Sequence, residues 1–374
     1  MFDVDNALCT LVQLGGSDLH LKIQAPPLTR VDGDLRPIEG EAPLTPEDTE
    51  AAVRTMLHDQ VKLDELAREH EVDFSYSITG IARFRVNAFR QRGALSVVCR
   101  AIPHSIRSVS DLMLPPVISE LAEEERGIIL LTGTTGSGKS TTLAAMIDHI
   151  NERASKHIVT IEDPIEFLHV DKKSIINQRE VGQDTLSFKR ALRRVLRQDP
   201  DVILIGEMRD EETVHTALSA AETGHLVLST VHTVDAAETV NRIIDFFPPH
   251  MEGQVRAMLA GTLKGVISQR LVRSTDGGRV ATCEIMRMTG RVRDMIMDPE
   301  QTGRLTEVVG EGAFYGMQTF DQALFEHVKA GRVDVEQALL AATSPHDFKL
   351  LLAADGRRGT TMADVAHASA QRAA

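Results

Sequence analysis

Hydrophobic and polar positions follow two different patterns along the chain. In the first hundred residues, segments such as 18–23 and 74–102 alternate between apolar and polar side chains, a period of two that is typical of half-buried strands. Residues 30–35 contain an Asp-Gly pair between short strands, which predicts a hairpin. Residues 45–71 have a helical spacing, with a cap at Thr45 and Pro46 at the first helical position. We therefore predict a small α+β domain with an antiparallel sheet over residues 1–102.

From residue 117 onward, continuous apolar runs replace this alternation. Four of them are predicted as buried strands: 127–131, 158–161, 201–207 and 226–230. Helical segments lie between or after them, among them a basic helix at 188–198 and a pair of helices from 318 onward. Strands that alternate with helices form a mostly parallel sheet, and such sheets bind ligands at the carboxyl ends of their strands.

The domain organisation follows from these patterns and from the prolines. Residues 103–116 contain three prolines and predict a linker. The second domain, of α/β class, is predicted over 117–350, and residues 351–374 are predicted to be a flexible tail.

The loop after the first predicted strand of the second domain contains the most specific sequence motif of the chain. It matches G-x-x-x-x-G-K-[ST] at every fixed position, with the residues Gly133, Thr134, Thr135, Gly136, Ser137, Gly138, Lys139 and Ser140, and Thr141 continues into a helix. Small residues let backbone N–H groups surround a phosphate, and the helix N-terminus adds positive potential. Lys139 is expected at the β and γ phosphates and Ser140 at Mg²⁺. We predict that this P-loop binds ATP with Mg²⁺.

Carboxylates at the ends of two later strands could supply the second Mg²⁺ ligand and the water-activating base that a nucleotide hydrolase requires. Glu207 follows a buried run and is predicted to be the second Mg²⁺ partner. Glu162, Asp163 and Glu166 lie within five residues, so their charges repel one another unless a cation is near. Of these three we favour Glu166 for activating water and place Glu162 and Asp163 at the nucleotide. The alternative is a solvated acidic turn.

Two histidines flank the strand at 226–230. His232 follows that strand and is predicted to contact the γ-phosphate, with a packing role as the alternative. His225 precedes the strand and is included among the nucleotide-binding residues. The arginines of the 188–198 helix either pair with acids of a neighbouring subunit or are solvated.

Composition and charge exclude several classes of protein. The net charge of −13 argues against a nucleic-acid coat and a polybasic membrane anchor. The three cysteines form no C-x-x-C pair and supply no zinc site. The first residues lack the basic segment of a signal peptide, and no apolar run is long enough to cross a membrane. We expect a cytoplasmic protein with no nucleic-acid partner and no direct membrane insertion.

Six segments together resemble the secretion-type ATPases of type IV pili and type II secretion, most closely the pilus retraction ATPases. They are SDLHL from 17, RFRVN from 83, GTTGSGKST from 133, IEDPIEF from 161, QDPDVILIGEMRD from 198 and TGHLVLSTVHT from 223. The last three are similar to the Asp box, Walker B and His box of that family.

The resemblance implies a homo-hexameric ring in which an N-terminal PAS-like domain packs on the RecA-like core of the next subunit. It implies catalytic roles for Lys139, Glu166, Glu207 and His232 and places Arg85 and Arg100 in the neighbour's site. It also implies an ATP-driven motor for pilus retraction and twitching motility. Such a motor acts on an inner-membrane platform protein from the cytoplasmic face of the membrane.

Three other functions remain as alternatives. The four-cysteine zinc motif of extension and secretion members is missing, which favours retraction. The retraction-type signature AIRNLIRE is, however, not intact at 291–297, which leaves open which type of retraction ATPase the chain resembles and how strong its retraction is. A pilus extension or secretion ATPase is the first alternative. A RecA-like ring that moves DNA is the second, although few aromatic residues are present for base stacking. A slow nucleotide-gated assembly module is the third.

Overall fold

The computed structural model describes residues 2–102 and 105–354. The chain divides into two compact units. The first comprises the chain up to Ser105 together with Glu166–His169, and the second comprises Ile106–Ile165 and the chain from Val170 onward.

The helices of the described residues are α1 (Val4–Gln13), α2 (Pro46–Met56), α3 (Gln60–Glu69), α4 (Val117–Ala122), α5 (Lys139–Arg153), α6 (Phe188–Val195), α7 (Glu211–Glu222), α8 (Ala236–Asp245), α9 (Glu252–Thr262), α10 (Gly290–Met297), α11 (Leu305–Glu311), α12 (Phe320–Lys329), α13 (Val335–Ala341) and α14 (Pro345–Ala354). The strands are β1 (Asp18–Leu21), β2 (Leu28–Val31), β3 (Asp34–Pro37), β4 (Glu71–Ile78), β5 (Ala82–Gln91), β6 (Ala94–Ile102), β7 (Gly127–Thr132), β8 (His157–Glu162), β9 (Ile175–Glu180), β10 (Val202–Ile205), β11 (Leu226–Val231), β12 (Leu263–Arg273) and β13 (Arg279–Arg287).

The first unit is an antiparallel sheet of order β3-β2-β1-β6-β5-β4 with helices against one face. Asp32 and Gly33 have φ values of 52° and 91° and close the predicted β2–β3 hairpin, because a two-residue hairpin turn needs positive φ at both positions. Along β5, buried residues such as Phe84 and Val86 alternate with more exposed ones. One face of the sheet therefore builds the core and the other remains open.

The helix predicted over 45–71 is interrupted. Thr45 and Asp48 form a reciprocal capping box at the start of α2, with Pro46 in the first turn as predicted. Asp59 then caps a second helix, α3, by accepting a hydrogen bond from the N–H of Val61 at 2.9 Å. The helical spacing continues across the break, so the pattern alone did not reveal the new cap.

The second unit is a seven-stranded sheet of order β13-β12-β7-β11-β10-β8-β9. All neighbouring pairs are parallel except β12 with β13, which is antiparallel. Every residue of β7 and β11 is buried, because hydrophobic clusters cover both faces of the sheet. No charged side chain therefore lies within β7 or β11.

Several local features differ from the sequence-based expectation. Residues 106–116, predicted as a linker, belong to the second unit, and Val109 and Leu114 are buried in its core. Strand β9 was not predicted, and its residues are mostly partly exposed, as expected at a sheet edge.

The C-terminal part also differs. It contains three helices after residue 318, α12 to α14, rather than two. Helix α14 includes residues 351–354 of the predicted tail, and the remainder of that tail lies outside the described residues. Within the ranges that the structure describes, no helix is both long and apolar enough to cross a bilayer.

Candidate active site

Four neighbouring strands of the second unit end at the same edge of the sheet. Thr132 of β7 lies opposite Val231 of β11, and Ile205 of β10 lies opposite both Ser229 of β11 and Ile161 of β8. Because these strands are parallel, the segments that follow them emerge side by side. This arrangement brings together the P-loop after β7, His232 after β11, Glu207 after β10 and Asp163 after β8.

Three glycines of the P-loop adopt backbone conformations that other residues rarely take. Gly133, Gly136 and Gly138 have φ values of 138°, 78° and 93°. A Cβ on Gly133 would lie 2.4 Å from the carbonyl oxygen of Gln269, so this position also requires glycine for space. The loop is thus tightly packed on the protein side, while Thr134, Thr135 and Gly136 are exposed on the other.

Lys139 begins helix α5 and folds back over its own loop. Its ammonium donates hydrogen bonds to the carbonyl oxygens of Gly133 at 2.7 Å and Thr134 at 3.0 Å. Ser137 is buried, whereas Ser140 and Thr141 are half-buried in the first turn of the helix. The positive charge of Lys139 therefore lies at the N-terminus of α5, where the helix itself favours anions.

Glu207 is held at its place by the backbone on both sides of β10. The N–H of Gly206 donates to the carbonyl of Ile161 at 2.8 Å, and the N–H of Met208 donates to the carbonyl of Thr230 at 3.1 Å. Pairing to both neighbouring strands leaves little freedom for the residue between them.

Two basic side chains contact the Glu207 carboxylate. Arg209 lies 2.7 Å from Oε2, and Nε2 of His232 lies 3.4 Å from Oε1. Burial raises the pKa of Glu207, but the Arg209 hydrogen bond and the charges of Arg209, His232 and Lys139 outweigh it and lower the pKa below its usual value. Glu207 is therefore an ionised carboxylate within electrostatic reach of the P-loop lysine.

The three acids after β8 occupy different places. Glu162 accepts a hydrogen bond from the Thr160 hydroxyl at 2.7 Å. The charge of Asp163 acts on Arg209, whose pKa is raised chiefly by its bond to Glu207. Glu166 groups with the first unit, because the division of the chain falls between Ile165 and Glu166. The structure thus unites Asp163 with the Glu207 cluster and does not place Glu166 in the same unit as the P-loop.

His225 lies at the opposite end of β11 from His232. Its ring nitrogen Nδ1 is 2.9 Å from the carbonyl oxygen of Ala220, and its own carbonyl accepts from the N–H of Gly127 at the start of β7. A six-residue strand spans about 20 Å, so the structure does not bring His225 to the P-loop of its own unit. The geometry of this unit therefore gives no support to the nucleotide contact of His225, which stays a prediction.

Arg85 and Arg100 lie opposite each other on neighbouring strands of the first unit, β5 and β6. Both are exposed, and like charges directly opposite in an antiparallel pair repel. Asp18 of β1 lies opposite Arg100 on its other side and accepts a hydrogen bond from its Nε at 2.8 Å. The sheet face thus presents two adjacent guanidinium groups, one of them fixed by a carboxylate.

Arg209 and Asp18 also belong to these clusters but were not among the predicted site residues. Arg209 follows Glu207 by two residues within a segment already quoted for its family resemblance, so its charge was an available signal. Asp18 had no local signal, because its partner Arg100 is 82 residues away.

Comparison with known proteins gives a consistent assignment. A model of the type II/IV secretion system protein family matches residues 4–339. The chain is 45% identical to the type IV pilus retraction ATPase PilT of Pseudomonas aeruginosa, over 92% of this chain and 100% of that protein. It is 42% identical to the type IV pilus ATPase PilU of the same species, over 94% of this chain and 91% of that protein.

Solved structures agree with these relatives. A crystal structure of the pilus retraction motor PilT with bound ADP superposes with a TM-score of 0.84 at 44% identity, covering 93% of this chain and 99% of that one. The Legionella pneumophila ATPase DotB superposes with a TM-score of 0.73 at 28% identity, covering 90% of this chain and 94% of that one. The P-loop, the Glu207 cluster and these comparisons show that the chain belongs to the type II/IV secretion system protein family.

Proposed function

We propose that this protein is a homo-hexameric, Mg²⁺-dependent ATPase that drives retraction of type IV pili. The observation that carries the proposal is the meeting of the P-loop, Glu207 and His232 at one sheet edge, in a chain 45% identical to a relative named as a pilus retraction ATPase. The motor is proposed to act in the cytoplasm, at the inner face of the membrane, on an inner-membrane platform protein. Nucleic acid and membrane insertion have no part in it.

The residues around the P-loop fit ATP and Mg²⁺. The glycine conformations and the exposed backbone of Thr134 to Gly136 form a cradle for phosphates, and Lys139 supplies the charge next to it. In the described parts of the chain, no group of three or more His, Cys, Asp or Glu side chains could hold a metal. Mg²⁺ is commonly bound by one or two protein ligands together with substrate phosphates.

Ser140 and Glu207 are the proposed holders of the ion. When bound, Mg²⁺ neutralises charge that develops on the β and γ phosphates. Glu207 is assigned a role partly through water, because its two oxygens already contact Arg209 and His232. His232, next to Glu207, is proposed to contact the γ-phosphate.

Glu166, Arg85 and Arg100 are proposed to complete the site. Glu166 takes the proton of the attacking water, a role supported by the family resemblance of the segment IEDPIEF. Arg85 and Arg100 are proposed to act in the site of the neighbouring subunit, as arginine fingers do in related hydrolases. Their exposure and adjacency on the sheet face support this role. In the same proposal the first unit is PAS-like and the second RecA-like.

Substitution of Lys139 tests the site. Lys139→Ala removes a preorganised donor to the phosphates, a loss of roughly 3 to 4 kcal/mol or a few hundredfold in turnover. Steady-state ATPase assays on purified protein measure it, with Lys349→Ala, an exposed lysine on α14, as the matched control. Near-normal turnover of the Lys139 variant would refute the P-loop assignment.

The direction of force needs an experiment on cells. Deletion of the gene should leave numerous, long pili that do not retract, and restoring the wild-type gene, but not the Lys139→Ala form, should restore retraction. Loss of all pili on deletion would instead indicate an extension motor and overturn the retraction proposal.

A further inference from the structure

A buried glutamine on β12 contacts the P-loop from the protein side. The side-chain amide nitrogen of Gln269 donates to the carbonyl oxygen of Ser137 at 2.9 Å, and its amide oxygen accepts from the hydroxyl of Thr142 at 2.8 Å. Only 2% of Gln269 is exposed. One side chain therefore ties the P-loop to the first turns of the helix that follows it.

The glycines of the loop are fitted closely around the same residue. A Cβ on Gly133 would lie 2.4 Å from the main-chain oxygen of Gln269, and a Cβ on Gly138 would lie 2.6 Å from its side-chain Nε2. Both ends of the loop thus pack closely against Gln269.

The hydrogen bond to Ser137 has a consequence for phosphate binding. In a planar trans peptide the C=O and the N–H of the next residue point in opposite directions. Since Gln269 holds the carbonyl of Ser137 toward the protein, the N–H of Gly138 is turned toward the other side, where the exposed residues of the loop lie. Backbone N–H groups with this orientation are what a P-loop offers to phosphate.

The glutamine amide performs both parts of this contact at neutral pH. The carbonyl of Ser137 needs a donor and the hydroxyl of Thr142 needs an acceptor, and the glutamine amide supplies one of each. A carboxylate of the same shape would keep the acceptor but would face the Ser137 carbonyl with negative charge. An apolar side chain would leave both groups buried without these bonds.

We propose that Gln269 is a positioning residue that holds the P-loop in its phosphate-binding shape. It touches no substrate and acts through the orientation of the Ser137–Gly138 peptide. The proposal rests on the assignment of the P-loop as the nucleotide site and adds the residue that orients it.

Nucleotide affinity measured directly tests this role. The probe is ADP labelled with N-methylanthraniloyl, titrated by fluorescence into the full-length protein, with ATPase KM and kcat and the melting temperature measured in parallel. Gln269→Glu should weaken binding about tenfold or more and raise KM, since the loss of a buried hydrogen bond is usually worth that factor. Affinity of this variant should improve as pH falls, because protonation restores a donor opposite the Ser137 carbonyl, whereas wild-type affinity should not follow this trend.

A second variant and a matched control complete the experiment. Thr142→Val keeps the shape of the side chain but removes the hydroxyl, and it should weaken binding about threefold to tenfold. Ser268→Ala is the control, because Ser268 is buried on the same strand and its side chain alternates to the other face of the sheet. If Gln269→Glu does not fold, Thr142→Val decides alone.

The outcomes separate the two assignments. Wild-type ADP affinity in Thr142→Val, or a lower melting temperature of Gln269→Glu without weaker binding, overturns the role of Gln269. If these variants bind normally while Lys139→Ala does not, the P-loop assignment stands and only the positioning role fails. Normal binding by Lys139→Ala would instead refute the P-loop as the nucleotide site.

Discussion

The candidate functional side chains lie at different kinds of position in the two units. In the second unit, the P-loop, Glu207 and His232 all lie in segments that follow strands, at one edge of the sheet. In the first unit, Arg85 and Arg100 lie within strands and are exposed on a sheet face. The second unit thus has its candidate site at the carboxyl ends of its strands, and the first unit has a charged sheet face.

The burial of the two sheets explains the difference. Both faces of the parallel sheet are covered, so β7 and β11 are buried at every position, and a charged side chain within them would be desolvated without a partner. The antiparallel sheet has one open face, so every second residue of β5 is available for a charge. Groups at the carboxyl ends of strands are held by the backbone pairing of those strands. Long side chains on an open sheet face are instead exposed to other molecules.

The proposed arginine surface gives the largest expected effect. Arg85→Ala should lower turnover about a thousandfold or more, in line with arginine fingers of related hydrolases, while the subunit remains folded. ATPase assays measure the loss, and Arg54→Ala, an exposed arginine of α2, is the control.

Mixing inactive subunits shows whether Arg85 acts on a neighbour. Arg85→Ala subunits are combined with Lys139→Ala subunits, each inactive alone. If the arginine acts in trans, some interfaces pair an intact lysine with an intact arginine, and part of the activity returns. No return of activity in confirmed mixed hexamers would remove Arg85 from the site.

Substitutions of Glu166 and Glu207 should give the next largest effects. Glu166→Gln and Glu207→Gln should each lower turnover about a hundredfold or more, as the loss of a catalytic acid or base usually does. The Glu166 variant should still bind ATP, because only the proton acceptor is lost. The Glu207 variant should recover partly at high Mg²⁺, because its hold on the ion is weakened.

Nucleotide titrations at several Mg²⁺ concentrations, together with turnover, separate these two roles. Should substitutions of Glu162 or Asp163 abolish turnover while Glu166→Gln leaves it intact, the choice of Glu166 as the base would be wrong.

Glu284 gives a smaller effect, on stability rather than turnover. Its carboxyl is buried and accepts a hydrogen bond from the N–H of Ala236 at 2.9 Å. Burial raises its pKa from 4.5 to about 7, against the effect of that hydrogen bond. The folded protein therefore binds this proton more tightly than the unfolded chain does, and the residue increasingly destabilises the fold as pH rises from 4.5 through 7.

Glu284→Gln should relieve this cost. The variant should gain roughly 2 to 3 kcal/mol more at pH 8 than at pH 5, relative to wild type. Denaturant unfolding at both pH values measures the difference, with the exposed Glu336→Gln as control. An equal change at the two pH values would show that Glu284 does not titrate in this range.

The sequence by itself determined the local parts of both regions. The P-loop lies between a buried strand and a helix, the Asp-Gly pair closes a hairpin, and Thr45 caps α2. Each of these depends on residues only a few positions apart, so the preferences of glycine, proline and capping side chains are enough to set them. The opposite positions of His225 and His232 were also implied, because a strand lies between them.

Tertiary structure decided which distant residues meet. The order of the strands places β11 between β7 and β10 and so brings His232 to Glu207. It also places β12 next to β7, which brings Gln269 to Ser137 across 132 positions of sequence, and the antiparallel register sets Arg100 between Arg85 and Asp18. Strand order and register minimise the free energy of the whole buried core, to which residues far apart in sequence contribute together. No local sequence pattern therefore shows which distant residues come into contact.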